Sequence, residues 1–323
     1  MKNNGKINRR NFLKLSALGA GATGAALVMA NFDKLFTSAS ARKGTLTMAP
    51  GYTKKVFSKC GTCSQTFLYV LNREFGYPGE IEERASDPLA GGLMNTQHQC
   101  GMLWGSALAA GAESYRMCND QGKAIGKAIT ASQYIVESFS KRAKTVNCRD
   151  IIGFDMSDKL NMAKFMIKAL PGGFTNMICM DIAEKWAPEA IESATVGLDK
   201  NLTDLPPLPV SCASEVAKKM GAGDKEIVTV AGLAGGLGLS GNGCGALSAA
   251  IWISSLDWCK KHPGESGYLN PKSKEILKAF YNATGSEMVC SKITGQQFRT
   301  ITDHTEFIKS GGCNKLIQTL AQA

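Results

Sequence analysis

The chain has little of what most catalytic sites are built from. Histidine occurs three times in 323 residues, as His98, His262 and His304, and no Ser/His/Asp order of a nucleophilic hydrolase runs through them. The glycine-rich stretch from Gly232 to Gly243 lacks the Lys-Ser/Thr pair that a phosphate cradle needs, so turns and helix packing explain it better. A dinucleotide fingerprint is missing too, and strand patterns are scarce. No basic run is interleaved with aromatics, which leaves nucleic acid without support as a partner. The Gly/Ala-rich apolar run from Leu15 to Met29 is shorter than the roughly 20 residues of a spanning helix. What is present is a hydrophobic content of 44%, enough for real cores in one large domain or two ordinary ones.

The apolar run belongs to an N-terminal signal. Arg9 and Arg10 precede Phe12, Leu13 and Lys14; the run follows, with Gly19, Gly21 and Gly24 diluting it; Ala39-Ser40-Ala41 then supplies small residues for cleavage. Residues 1–41 resemble a bacterial twin-arginine signal peptide. That resemblance implies export to the periplasm of a chain already folded, often around a cofactor loaded beforehand. An uncleaved signal would instead hold the protein at the membrane. Six of the 37 basic residues and one of the 27 acidic residues lie in this segment, so the net charge of +10 falls to +5 without it. Such a mild positive balance suits an acidic redox partner or plain solvation.

Eleven cysteines are many for this length, and all lie beyond residue 59. An exported chain can form disulfides. Most of the cysteines belong to an internal repeat. Leu89-Ala90-Gly91-Gly92-Leu93 recurs as Leu233-Ala234-Gly235-Gly236-Leu237, and Cys100-Gly101 and Cys244-Gly245 follow at the same distance. Upstream, Cys63 opens a helix-like stretch ending at Phe75-Gly76, and Cys212 opens one ending at Met220-Gly221. Downstream, Cys148 to Gly153 parallels Cys290 to Gly295, while Cys179 and Cys313 each open a closing amphipathic segment. The cysteine spacings are 37, 48 and 31 in the first copy and 32, 46 and 23 in the second, as loop insertions would give. The expected organisation is a first module over residues 42–200, a Pro-rich linker over 201–211 containing Pro206, Pro207 and Pro209, and a second module over 212–323.

The patterning is helical. Ile125, Ile129, Ser132, Val136 and Phe139 trace one helix face, and Ile276, Leu277, Phe280 and Tyr281 another; Leu160 to Leu170 reads the same way. The glycine pair of each repeat is expected to interrupt or end a helix and bring backbone near the following cysteine. The expected fold is all-α: two tandem, structurally similar helical-bundle modules related by internal duplication.

A lone cysteine, a Cys-Gly-Ala-x-x-Gly element and two further spaced cysteines resemble the C_GCAxxG_C_C family of redox-active proteins, here twice over nearly all the chain beyond the signal. Cys63, Cys100, Cys148 and Cys179 fall on the four family positions in the first copy, and Cys212, Cys244, Cys290 and Cys313 in the second. Copy one has Met102 in place of the family's alanine but keeps Gly105; copy two keeps Ala246 but has Ala249 in place of the glycine. The resemblance implies association with an oxidoreductase or transporter. A related module looks to be present in split-Soret cytochromes, which carry an iron–sulfur cluster beside their haems.

Four cysteines per module admit three chemistries: an iron–sulfur cluster on four thiolates, structural or exchanging disulfides, or a Cys₄ zinc site. Folding before export would shield cluster insertion, and the glycine after Cys100 and Cys244 leaves backbone N–H groups free to approach sulfur. The expectation is therefore one iron–sulfur cluster per module, in an exported electron carrier or redox subunit rather than a stand-alone catalyst. Its partner would be a membrane or periplasmic oxidoreductase. The alternative is a metal-free thiol–disulfide protein or a disulfide-stabilised accessory subunit. Cys60, Cys118 and Cys259 are left over. Cys60-Gly61-Thr62-Cys63 has no βαβ surroundings for a thioredoxin-like pair and no histidine after it for haem attachment. Cys118 and Cys259 follow the two Cys-Gly pairs at similar distances, suggesting equivalent buried thiols. His98 stands close enough to Cys100 to tune a site, and Trp104 and Trp252 read as core.

Overall fold

The computed structural model describes residues 48–156, 158, 160–161, 177–203 and 205–323. The signal reading of residues 1–41 and most of the helix expected over Leu160–Leu170 lie outside them. Residues 48–323 form one compact unit. Among the described residues there are fourteen α-helices and no strand, only an isolated antiparallel bridge between Gln99 and Asn147. None of these helices is long and apolar enough to cross a membrane.

The first module contains α1 (Tyr52–Cys60), α2 (Cys63–Glu74), α3 (Glu80–Ala85), α4 (Gly101–Met117), α5 (Gln121–Ala143), α6 (Cys148–Ile152) and α7 (Ile178–Asp199). The second contains α8 (Cys212–Lys219), α9 (Asp224–Thr229), α10 (Gly245–Lys261), α11 (Pro271–Thr284), α12 (Cys290–Thr294), α13 (Ile301–Lys309) and α14 (Asn314–Gln322). In the first, α2, α4, α5 and α7 pack as a four-helix bundle; in the second, α8, α10, α11 and α14 do the same. The expected helix faces are inward: Ile125, Ile129, Ser132, Val136 and Phe139 are buried on α5, and Ile276 and Phe280 on α11. A Phe67–Trp186–Phe139 cluster, with ring centroids 4.8 and 4.7 Å apart, fills the first bundle.

The modules join by a reciprocal exchange. The short helix α3 lies on α10 of the second module, and its counterpart α9 lies on α4 of the first. This is the self-complementary arrangement of a two-fold dimer, written into one chain. Ala124, Ile125, Ala128 and Ile129 of α5 share a core with Val228, Ala231, Leu239, Phe298 and Ile301 of the second module. Lys225 pairs with Glu82 at 2.7 Å, and Trp252 donates its indole N–H to the Glu82 carbonyl at 3.3 Å. The Pro-rich segment is fastened on both sides. Leu202 and Leu205 pack over Gly126, Val210 N–H donates to the Thr305 hydroxyl, and the Val210 carbonyl accepts from His304.

Equal helix lengths correct one expectation. Cys100 and Cys244 cap helices of 17 residues each, so Cys118 and His262 stand at the matching C-caps, whereas Cys259 lies inside α10 at the position that Tyr115 holds in α4. Cys118 and Cys259 are not equivalents.

The Leu-Ala-Gly-Gly-Leu elements also differ from the expected broken helix. Each begins on the last residue of a 3₁₀ turn (Asp87–Leu89, Ala231–Leu233) and then winds left-handed. Five successive residues have positive φ in both copies: 67°, 73°, 71°, 50° and 61° over residues 91–95, and 57°, 83°, 69°, 57° and 61° over residues 235–239. The left-handed conformation costs a non-glycine residue roughly 1–2 kcal/mol. Long-span backbone bonds help to hold it, Met94 N–H to Pro88 O at 2.7 Å and Gly238 N–H to Gly232 O at 2.9 Å, together with burial of Leu93 and Leu237.

Candidate functional site

All eight repeat cysteines stand in the first turn of a helix. Cys63, Cys148, Cys212 and Cys290 are the first residues of α2, α6, α8 and α12; Cys179 is second in α7; Cys100, Cys244 and Cys313 are the N-caps of α4, α10 and α14. The first turn leaves N–H groups unpaired and carries the positive end of the helix dipole, which favours negative charge on sulfur. Each quartet is close enough for its members to influence one another's ionisation: Cys63, Cys148 and Cys179 act on Cys100, while Cys212, Cys244 and Cys313 act on Cys290.

The left-handed turns aim backbone at sulfur, but at the first cysteine of each quartet rather than the following one. The Gly91 N–H faces the Cys63 thiol and the Gly235 N–H faces the Cys212 thiol. Cys244 receives the N–H groups of Leu247 and Ala246. In the first quartet the Cys100 thiol hydrogen-bonds to the Cys63 sulfur. That bond lowers the pKa of Cys63 and raises that of Cys100 well above the ordinary thiol value. Elsewhere burial dominates: Cys179 and Cys244 are pushed up to about 12, and Cys148, Cys212, Cys290 and Cys313 are also raised.

Backbone bonds clamp the third cysteine to the second in both modules. Cys148 N–H donates to His98 O at 2.7 Å and Arg149 N–H to Gln97 O at 3.0 Å; Cys290 N–H donates to Asn242 O at 3.1 Å and Ser291 N–H to Gly241 O at 2.9 Å. His98 thus serves through its backbone, and its half-buried ring lies within reach of the charges of Glu287 and Lys292. Thr62 and Ser211 cap the helices that begin at the first cysteines, and Ser211 also donates to Ala231 O at 3.0 Å. Replacing Ser211 with Ala should lower unfolding free energy by about 1 kcal/mol, read from denaturant midpoints.

The glycine after the second cysteine is required by close approach. A Cβ at Gly101 would meet Cys63 Sγ at 2.5 Å, and one at Gly245 would meet Leu233 O at 1.8 Å. A Cβ at Gly105 would likewise meet the Ser64 carbonyl oxygen at 2.1 Å, so glycine there lets α4 pack closely on α2.

The remaining thiols lie apart. Burial, then the charges of Glu83 and Asp87, push Cys60 up to about 12; burial pushes Cys259 up to about 11 beside Arg84, Asp87 and Glu265. Both thiols sense the charge of Asp87, which accepts from the hydroxyls of Thr62 in the first module and Ser266 in the second, a feature without a sequence signal. Trp104 and Trp252 are core residues. His304, unremarkable in sequence, is buried against Phe298, with its ring nitrogen 3.1 Å from Val210 O.

All eleven cysteines are free. Among the described residues no group of three or more His, Cys, Asp or Glu side chains is arranged as a ready metal site. The donor set nevertheless fits a thiolate-bound cluster: two all-sulfur quartets lie at helix N-termini, with backbone N–H groups facing several of the sulfurs.

The family profile described as "Putative redox-active protein (C_GCAxxG_C_C)" matches residues 61–190 and again 210–323. The chain belongs to this family, which makes it a redox-active protein carrying two copies of the family's module. No curated protein and no solved structure matches the chain.

Proposed function

We propose that the protein is an exported electron carrier that binds one iron–sulfur cluster in each module. Cys63, Cys100, Cys148 and Cys179 would hold the first, and Cys212, Cys244, Cys290 and Cys313 the second. The observation that carries this is the gathering of four cysteines at the starts of four helices in each quartet, close enough to act on one another's charge, with backbone N–H groups facing Cys63, Cys212 and Cys244. Metal binding is also what reconciles buried thiols of high pKa with ionised ligands, because a coordinating cation drives the proton off. A bound cluster would supply the one-electron donor or acceptor, tuned by backbone hydrogen bonds to sulfur such as those from Gly91 and Gly235. The partner would be a periplasmic or membrane oxidoreductase, and the twin-arginine signal would export the loaded, folded chain.

A second reading has one specific observation behind it. Cys63 and Cys100 are hydrogen-bonded, with Cys63 made the more acidic, as in a dithiol able to form a disulfide. Iron and acid-labile sulfide per chain, measured on anaerobically purified protein, separate the two. Iron and sulfide in both modules, lost when Cys100 and Cys244 are changed to Ser together, are the expected result. Protein that stays colourless and iron-free after anaerobic reconstitution overturns the cluster reading and leaves the dithiol.

A further inference from the structure

The second-cysteine segments of the two modules meet at equivalent positions. Gln99 precedes Cys100 and Gly243 precedes Cys244. Gln99 is 1% exposed, and its side-chain oxygen accepts from the Gly243 N–H at 3.1 Å. Its amide nitrogen donates to the Ser240 hydroxyl at 3.4 Å, and its carbonyl accepts from the Trp104 indole at 3.0 Å. The equivalent side chain could not be present twice. A Cβ at Gly243 would lie 2.8 Å from Gln99 Oε1 and 2.8 Å from Trp104 Cζ2. Glutamine in one copy and glycine in the other is what lets the two segments approach this closely.

The contact completes a seam. Cys148 and Arg149 N–H groups bond to His98 and Gln97, Cys100 N–H bonds to Val146 O at 2.8 Å, Gln99 reaches Gly243, and Cys290 and Ser291 bond back to Asn242 and Gly241. Three of the eight cysteines, Cys100, Cys148 and Cys290, are held by hydrogen bonds on this line, and Cys244 follows Gly243 directly in the chain.

We infer that Gln99 couples the two quartets, so that metal bound at one raises the affinity of the other. This rests on the proposal that the quartets bind metal. Filling either quartet must fix the segment that bears its second cysteine. The Gln99–Gly243 bond then orders the facing segment, so the second binding event has less freedom to remove. Linkage makes the effect the same in either direction. Gln99 is a positioning residue here, acting on Gly243 rather than on a metal.

The test is an anaerobic Co(II) titration of the full, reduced, metal-free chain, followed by thiolate-to-cobalt charge-transfer absorption against a competing chelator. The wild-type chain should take up two Co(II), the second about fivefold or more tighter than the first, as one buried hydrogen bond can supply. Gln99→Met should still bind two Co(II), with the same absorption and equal affinities. Gln99→Glu, which keeps the acceptor, should retain the coupling. If Gln99→Met does not fold, Gln99→Asn, one methylene too short to reach, should also lose it. Equal affinities in the wild type, or coupling unchanged in the shortened and apolar variants, overturn the inference while leaving metal binding intact. A wild-type chain that binds no Co(II) overturns this inference, while the cluster reading stands or falls on iron and sulfide after anaerobic reconstitution.

Discussion

Replacing Gly245 with Ala should destabilise the protein by about 3 kcal/mol and empty the second quartet alone. The added Cβ would sit 1.8 Å from Leu233 O and 2.6 Å from the Leu233 carbonyl carbon. Both are backbone atoms, so no rotamer change relieves the clash and the turn itself must move. Overpacking of this kind costs about 1–3 kcal/mol and sometimes more. The moved turn is the one that brings the Gly235 N–H to Cys212, so strain and loss of the site share a cause. Denaturant midpoints should show the stability loss, and iron and sulfide should fall to roughly half, one of the two proposed centres. Gly221→Ala is the control. Gly221 has a φ of 78° with nothing within 4 Å of an added Cβ, so only the left-handed cost of about 1 kcal/mol applies. Iron content equal to wild type in Gly245→Ala would show that the turn does not govern the site.

Acid should weaken the second module through His304. Burial lowers its pKa from 6.5 to about 4, partly offset by the bond to Val210 O, which raises it. The unfolded chain takes up a proton as pH falls through 6.5, while the folded chain stays neutral until about 4. Stability from this group is thus present above pH 6.5 and lost progressively towards 4. The loss amounts to about 2 kcal/mol by pH 5 and about 3 kcal/mol by pH 4. A protonated ring would strain the packing at Phe298 and the fastening of Val210, where the Pro-rich segment enters α8. Urea midpoints of wild type and His304→Gln at pH 7, 5 and 4 check this. The difference between the two proteins should change across the series by those amounts, since carboxylates common to both cancel. A difference independent of pH would mean that His304 is not the acid-sensitive group.

Much of this molecule follows from the order of its residues. Two identical Leu-Ala-Gly-Gly-Leu elements, each followed by Cys-Gly at one spacing, fix the duplication. The 3.6-residue periodicity of Ile125 to Phe139 and of Ile276 to Phe280 fixes helices, because those side chains must share a buried face. Eight cysteines in matched order identify the two quartets, and the family match covers both copies. The left-handed winding of residues 91–95 was not legible, because Leu93 and Met94 prefer other conformations and adopt this one where bonds spanning four to six residues close the turn and Leu93 is buried. Nor was the position of every repeat cysteine in a helix's first turn, since Cys148 and Cys290 begin helices of only five residues, too short for periodicity to reveal. The false pairing of Cys118 with Cys259 came from spacing alone; equal helix lengths place Cys118 opposite His262. By itself the sequence determined which cysteines belong together, because their order survives changes in loop length. Only the tertiary structure decided how the two sets face each other, because the meeting of Gln99 with Gly243 and the packing of α3 and α9 across the modules join residues far apart in sequence, where no local pattern reaches.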